Sequence, residues 1–132
     1  MFKGLSHVVI AVQDMEASIR QYETIYGIKA GEIRQGQSTG FRSAVLPFDG
    51  EAYLELVSPT DTTGPVGRRV ASAGEGVYMI AMKVDNMDAA VEDLRAKGMR
   101  LIGDPGPGNP VRGQVFIHPQ SAGGVLTLLT DH

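Results

Sequence analysis

The 132-residue sequence contains no cysteine. Disulfide bonds, thiolate metal sites and cysteine nucleophiles are therefore excluded. A block of basic residues is also absent, and the formal net charge is -3. Nucleic acid is consequently not an expected partner.

Long apolar runs are equally absent. No stretch approaches the roughly 18 residues of a membrane span, so we expect no membrane partner. The first residues, MFKGLSHVV, have neither the apolar stretch nor the small-residue cleavage site of a signal peptide. The composition, with 42% hydrophobic and 20% charged residues, is that of a soluble globular protein. We therefore expect a cytoplasmic protein.

The sequence does contain an internal repeat. Residues 6–29 align with residues 78–100 at an offset of 72, and the strand-like segment 53–57 aligns with 126–130. A repeat preserves the residues that packing needs. Polar residues that occur in one copy alone are therefore candidates for function.

The first copy predicts a strand, a helix and further strands. Residues 5–12 are apolar and rich in β-branched side chains, which predicts a buried strand. Asp14 offers an N-cap for the helix that follows, and Gly27 offers its C-terminal stop. Turn residues then separate predicted strands around 31–34, 41–47 and 51–58.

The second copy predicts the same order, with a strand at 79–84, Asn86 as the cap, Gly98 as the stop, and strands around 100–103, 114–118 and 125–130. We therefore predict an α+β fold in which two tandem β-α-β-β-β modules form a curved half-barrel sheet around a central cleft. The chain is expected to be one domain, 1–132. Module one covers about 5–59, a linker with a short helix opened by Pro65 covers 60–76, and module two covers 77–131.

At two strand positions a polar residue of the first copy lies opposite an apolar residue of the second. The overlay places His7 opposite Met79 and Glu55 opposite Leu128. A histidine and a carboxylate retained in one half predict that His7 and Glu55 share the cleft. The alternatives are a structural histidine and a buried ion pair of Glu55 with Arg42 or with a neighbouring strand.

Several motifs carry a family resemblance. They are HVVIAV from His7, YLELVSP from Tyr53, GEGVYMIA from Gly74, VDNMDAA from Val84, and FIHP from Phe116 followed by SAGGVL. In order and spacing they resemble the vicinal-oxygen-chelate superfamily, which includes glyoxalase I, ring-cleaving dioxygenases and the bleomycin-resistance proteins. Within it, nearly the whole chain most resembles the methylmalonyl-CoA epimerases.

The resemblance implies a divalent metal held by two histidines, one Glu or Gln, and one Glu. His7 and Glu55 match two of these positions, whereas Met79 and Leu128 fall at the other two, and Tyr78 fills the site just before Met79. A catalytic divalent site typically keeps at least three protein ligands. We therefore expect no tightly bound cofactor; the alternative is a Co, Mn, Zn or Ni ion held weakly by His7 and Glu55.

The loss of two ligands also affects the implied chemistry. Leu128 replaces the carboxylate that the family uses for proton transfer, and a second base of some members would fall near Ser43. The full epimerase mechanism therefore cannot be transferred. Glu55 is instead predicted as a general base, because an apolar surround raises the pKa of a carboxyl, with His7 as the group that orients it or acts as the acid.

Other residues are candidates for ligand contacts. Tyr78, Met79 and Leu128 are predicted to touch the ligand. Arg42 and Gln114 are interpreted as equivalent residues on strands that line the cleft, where Arg42 would clamp a carboxylate; a solvated arginine explains the position equally well. His118 ends a strand in the His-Pro motif, and turn geometry accounts for it as well as chemistry does. Residues 104–113 are expected to form a flexible hairpin.

Two functions remain open. The first is a divergent epimerase-like enzyme, or an isomerase or lyase, that removes a proton from a small acyl-CoA or a related carboxylic acid. The second is a non-catalytic protein of the same fold that binds an antibiotic or a metabolite. The superfamily commonly pairs its subunits, so a homodimer is expected.

Overall fold

The computed structural model of the chain describes residues 1–35 and 40–132, which form three α-helices and eight β-strands. In chain order they are β1 Phe2–Ala11, α1 Met15–Tyr26, β2 Arg34–Gln35, β3 Phe41–Leu46, β4 Tyr53–Pro59, α2 Pro65–Ala73, β5 Gly76–Val84, α3 Met87–Ala96, β6 Leu101–Ile102, β7 Phe116–Ile117 and β8 Thr127–Thr130, with a 3₁₀ turn at Pro119–Ser121. The predicted α+β class and the two β-α-β-β-β modules are confirmed. Within the described part of the chain, no helix is both long and apolar enough to cross a membrane.

Internal contacts divide the chain into two compact units. The first unit is His7–Tyr78, and the second is Met79–His132 together with Met1–Ser6. The boundary lies close to residue 77, where the second module is predicted to begin. Each unit contains one of the two repeats.

The sheet of the first unit has the strand order β2-β3-β4-β1, with β1 parallel to β4 and the other pairs antiparallel. The helix that follows β1 begins and ends as predicted. The Asp14 carboxylate accepts the backbone N–H of Ala17 at 3.1 Å, and Gly27 adopts the left-handed φ of 64° that favours glycine.

Strand alternation separates two faces of this sheet. Even-numbered residues pack against α1 in a buried apolar core that comprises Ile10, Val12, Ala44, Leu46 and Leu56 together with Met15 of the helix. Odd-numbered residues point to the other face because side chains alternate along a strand. His7 and Glu55 lie on that face, which we call the polar face of the first sheet.

The second unit repeats this plan. Its strand order is β5-β8-β7-β6, with β5 parallel to β8. The Asn86 side chain accepts the N–H of Ala89 at 2.9 Å at the start of α3, as predicted. The core is again apolar and comprises Val84, Ala90, Val91, Leu94, Val115 and Leu129. Duplicated caps and cores therefore account for the sequence repeat.

The strand registers of the two units match. In the first unit Glu55 is the partner of Val9 in the neighbouring parallel strand, and in the second unit Leu128 is the partner of Ala81. Val9 and Ala81 each lie two residues after the first-strand position of the repeat. The overlay of His7 on Met79 and of Glu55 on Leu128 is therefore confirmed by backbone pairing.

The predicted equivalence of Arg42 and Gln114 is wrong by one residue. Glu55 pairs with Val45 across β3 and β4, whereas Leu128 pairs with Phe116 across β7 and β8. Ser43 lies two residues before Val45, and Gln114 lies two residues before Phe116. Gln114 is therefore equivalent to Ser43 and not to Arg42. A shift of one residue moves a side chain to the opposite face of a sheet, so this difference decides which residues can meet a ligand.

Three strands of the second unit are shorter than predicted, and the segment expected around 125–130 forms Thr127–Thr130. The segments expected around 100–103 and 114–118 pair over only Leu101–Ile102 and Phe116–Ile117. Gly103 has a left-handed φ of 87°, and a Cβ at that position would clash with the carbonyl oxygen of Gln114. This glycine therefore turns the chain out of the ladder.

Residues 104–113 are fastened to α3 and do not form the expected free hairpin. Arg95 donates two hydrogen bonds to the Asp104 carboxylate, at 3.0 and 2.6 Å. The Asp88 carboxylate accepts the backbone N–H of Val111 at 2.7 Å. The segment is thus tied to the helix near both of its ends.

Candidate active site

His7 and Glu55 meet on the polar face of the first sheet. The distance between His7 Nε2 and Glu55 Oε1 is 3.6 Å. The parallel register explains the approach, because His7 is the partner of Tyr53 and Glu55 lies two residues further along the same strand. The structure thus brings these two sequence-predicted residues together.

A tyrosine that sequence reasoning missed completes this group. The rings of His7 and Tyr53 are stacked with centroids 4.5 Å apart and an angle of 9° between their planes. His7 is buried, with 8% of its surface exposed, so the stacked ring restricts its orientation. The signal was available in the spacing of Tyr53 and Glu55, which places both on one face of a strand.

The environment of Glu55 favours the protonated carboxyl. Burial raises its pKa above the ordinary value for glutamate. The His7 ring nitrogen, at 3.6 Å, lies beyond hydrogen-bond distance. A carboxylate with a raised pKa is a stronger base than a solvated one, which suits it to remove a proton from carbon.

Glu55 opens onto a cavity of the first unit. The cavity has a volume of about 280 Å³ and is lined by Gly31, Glu32, Arg34, Ser43, Ala44, Val45 and Glu55. Ser43, where the resemblance places a second base, therefore lies on the same cavity as Glu55. Arg34 was not singled out from the sequence, because its position depends on the β2–β3 register. The volume is close to that of pockets that hold small ligands.

Arg42 is held on the opposite face of the sheet. Its guanidinium donates two hydrogen bonds to the carboxylate of Glu16 in α1, at 2.9 and 3.1 Å. This pairing lowers the pKa of Glu16. The alternative of a buried Arg42–Glu55 ion pair is wrong, and the structure does not bring Arg42 into the Glu55 cavity.

Tyr78 and Met79 are neighbours in β5, and their side chains point to opposite sides of the strand. The Tyr78 ring contacts the guanidinium of Arg69 in α2, with 5.8 Å between the guanidinium carbon and the ring centroid. Met79 belongs to the second unit, where its side chain and that of Leu128 are both partly exposed on one face. That face is apolar at the positions where the first unit carries His7 and Glu55.

Gln114 and His118 lie on either side of β7. Gln114 is exposed and precedes the strand. The Nδ1 atom of His118 accepts the backbone N–H of Gln120 at 3.0 Å and so caps the 3₁₀ turn. Turn geometry therefore accounts for the histidine of the His-Pro motif.

The resemblance implies four metal-ligand positions, and two of them, His7 and Glu55, carry nitrogen or oxygen donors. Across residues 1–35 and 40–132, no group of three or more His, Asp or Glu side chains is arranged to hold a metal ion. His7 and Glu55 supply two donors, while the equivalent residues of the second unit, Met79 and Leu128, supply a soft thioether and a hydrocarbon. Divalent ions of catalytic sites prefer nitrogen and oxygen ligands and typically take at least three from the protein.

Comparisons with known proteins agree with the fold and the motifs. Residues 6–116 match the model of the Glyoxalase/Bleomycin resistance protein/Dioxygenase superfamily. Human mitochondrial methylmalonyl-CoA epimerase is 34% identical over 130 residues, which span 95% of this chain and 72% of the human protein.

Solved structures of methylmalonyl-CoA epimerases are also similar to this chain. A variant of the Streptomyces coelicolor methylmalonyl-CoA epimerase, in complex with 2-nitronate-propionyl-CoA, has a TM-score of 0.84 at 32% identity and is matched over 98% of this chain and 96% of that one. The epimerase of Mycobacterium tuberculosis has a TM-score of 0.85 at 32% identity, over 98% of this chain and 88% of that one. The chain belongs to the Glyoxalase/Bleomycin resistance protein/Dioxygenase superfamily.

Proposed function

We propose that the protein is an epimerase-like isomerase that exchanges the α-proton of a small acyl-CoA, with Glu55 as the base. One observation carries the proposal: the partly buried carboxyl of Glu55 lies 3.6 Å from His7 and opens onto a cavity of about 280 Å³. The similarity to methylmalonyl-CoA epimerases supports an acyl-CoA as the substrate class.

The chemistry follows from the α-proton, which is acidified by the neighbouring thioester carbonyl. Ionised Glu55 takes this proton and leaves an enolate. Burial raises the pKa of Glu55 and so favours the protonated carboxyl that this transfer forms. His7, held by the stacked ring of Tyr53, orients the carboxyl or acts as the acid that returns a proton to the other face of the α-carbon.

Deuterium exchange tests this function. The protein is incubated with methylmalonyl-CoA in deuterium oxide, and deuterium at the α-carbon is followed by mass spectrometry. Glu55→Gln should reduce the exchange rate by roughly 10²–10⁴-fold, the usual contribution of a positioned acid or base. Glu51→Gln, at an exposed turn just before β4, is the matched control and should keep the rate. Absence of exchange with every acyl-CoA tested would reject the proposal.

We also propose that this site works without a resident divalent metal, because two donors form only part of a catalytic coordination shell. Protein purified without chelating resin should contain less than one equivalent of metal, and EDTA should leave the exchange rate unchanged. The alternative is a Co, Mn, Zn or Ni ion held weakly by His7 and Glu55. Addition of Co or Mn together with an acyl-CoA would then raise the exchange rate.

A second candidate function is non-catalytic binding of an antibiotic or a metabolite. The apolar side chains of Met79 and Leu128, at positions where the first unit is polar, favour it. Tight binding of an aromatic antibiotic without exchange of any acyl-CoA would support this function and contradict the enzymatic one.

A further inference from the structure

We propose that Arg34 selects substrates that carry a carboxylate on the α-carbon, by holding that carboxylate in the Glu55 cavity; this inference rests on the proposed function. Arg34, Ser43 and Glu55 line the same cavity of about 280 Å³. Arg34 is then the residue of this chain that sets the preference for a malonyl-type thioester, the kind of substrate named for the epimerases to which the chain is similar.

The strand registers place Arg34 on the face of Glu55. Arg34 pairs with Ser43 between β2 and β3, and Ser43 pairs with Val57 between β3 and β4. Val57 and Glu55 are two residues apart in β4 and so share a face. The guanidinium and the base thus approach a ligand from the same side of the sheet, from different strands.

The charge of Arg34 is available to a ligand. Arg42 and Arg95 are each engaged by a carboxylate, Glu16 and Asp104 respectively. Among the described residues, no acidic side chain lies within ion-pair distance of Arg34, although Glu32 lines the same cavity. A guanidinium binds a carboxylate through two parallel hydrogen bonds, which fixes orientation as well as position.

This anchoring has a chemical consequence for the reaction. In a malonyl-type thioester the α-carbon is bonded directly to the carboxylate carbon. When Arg34 holds the carboxylate, the α-proton is confined to the cavity that Glu55 lines. The same positive charge offsets the repulsion between the substrate carboxylate and ionised Glu55.

Two thioesters that differ in one group test the inference. Methylmalonyl-CoA and isobutyryl-CoA share the acyl skeleton and the coenzyme A portion, but isobutyryl-CoA has a methyl group in place of the carboxylate. Isothermal titration should show that Arg34→Gln weakens methylmalonyl-CoA binding roughly tenfold or more and leaves isobutyryl-CoA binding unchanged. Arg112→Gln, an exposed arginine of the second unit, is the control and should change neither.

Other outcomes overturn the inference. Equal weakening of both thioesters would assign Arg34 to the coenzyme A portion, and an unchanged preference would remove it from recognition. A natural protein that binds the two thioesters equally would also contradict it. Binding of a thioester does not depend on proton exchange, so a protein that prefers the carboxylate but exchanges no proton refutes the proposed function and leaves the role of Arg34 standing. Thermal unfolding of Arg34→Gln verifies that the variant is folded.

Discussion

Glu55 is a partly buried strand residue, and its ionisation lowers the stability of the folded protein. Burial raises the pKa of this carboxyl because the ionised form loses hydration. The His7 ring, beyond hydrogen-bond distance, does not remove the effect. The residue proposed as the base is therefore also a source of instability whenever it is ionised.

Replacement of Glu55 should raise the free energy of unfolding although it removes the proposed base. An acid whose pKa is raised in the folded state contributes stability below its unfolded pKa of about 4.3, and that contribution is lost as the pH rises through the folded pKa. Glu55→Gln should therefore have a higher free energy of unfolding than the natural protein at pH 8, and the difference should shrink towards pH 4. Urea denaturation between these values measures it.

The Glu51→Gln variant serves as the reference for this series, because Glu51 is exposed. It should follow the natural protein at each pH. A Glu55→Gln variant that is less stable than the natural protein at pH 8 would show that the ionised carboxyl is stabilised by its partners.

His7 and Glu55 were predictable because the internal repeat shows where one copy departs from the other. Arg34 was not, since its place on the cavity depends on a β2–β3 register that composition does not encode. Arg42 was assigned to the cleft in error: it lies one residue from Ser43, and one residue changes the face of a strand.

The helices begin at side-chain caps in equivalent places of the two repeats. Asp14 caps α1 and Asn86 caps α3, each through the backbone N–H three residues later. Both caps were predictable, because a short side-chain oxygen just before an apolar helical face is a local signal. The short strands β6 and β7 were less predictable, since their lengths depend on Gly103, where a Cβ would clash with the carbonyl oxygen of Gln114.

The cap of α1 gives a prediction with an internal control. Asp14→Ala should lower the free energy of unfolding by about 1 kcal/mol, because one backbone N–H at the start of the helix loses its acceptor. Asp14→Asn should keep most of the stability, since an asparagine oxygen caps equally well. Urea denaturation of the three proteins compares them; equal stability of Ala and Asn variants would exclude a capping role.

The contact between Asp104 and Arg95 predicts a pH dependence. The hydrogen bonds from Arg95 lower the pKa of Asp104, so the stabilisation is present above its unfolded pKa of about 3.9 and is lost as the pH falls through the lower folded pKa. Asp104→Asn should therefore be less stable than the natural protein at pH 7, with a smaller difference at pH 3. Asp49→Asn, in an exposed turn, should show no such trend.

At the scale of the whole chain, the order of elements and the paired modules followed from the repeat alone. The repeat works as a predictor because each copy must build its own core around one helix, and the same apolar positions recur in both. Contacts that occur in one copy alone are not repeated in the sequence and so could not be predicted from it. The hydrogen bonds between 104–113 and α3 are an example.

Assembly into a homodimer stays a prediction of the family resemblance. Sedimentation equilibrium should give twice the chain mass of 14.1 kDa at micromolar concentration. A monomer at all concentrations would contradict the prediction, and it would leave the Glu55 cavity unaffected, because its lining residues all belong to the first unit.

The shared register has a consequence for engineering. Since Ala81 faces Leu128 just as Val9 faces Glu55, the backbone of the second unit still offers the geometry for a histidine and a carboxylate. The combined substitutions Met79→His and Leu128→Glu would thus create a second imidazole–carboxylate pair without a change in the main chain. Two substitutions would thus be enough to place the same pair of side chains in both halves of the duplicated frame.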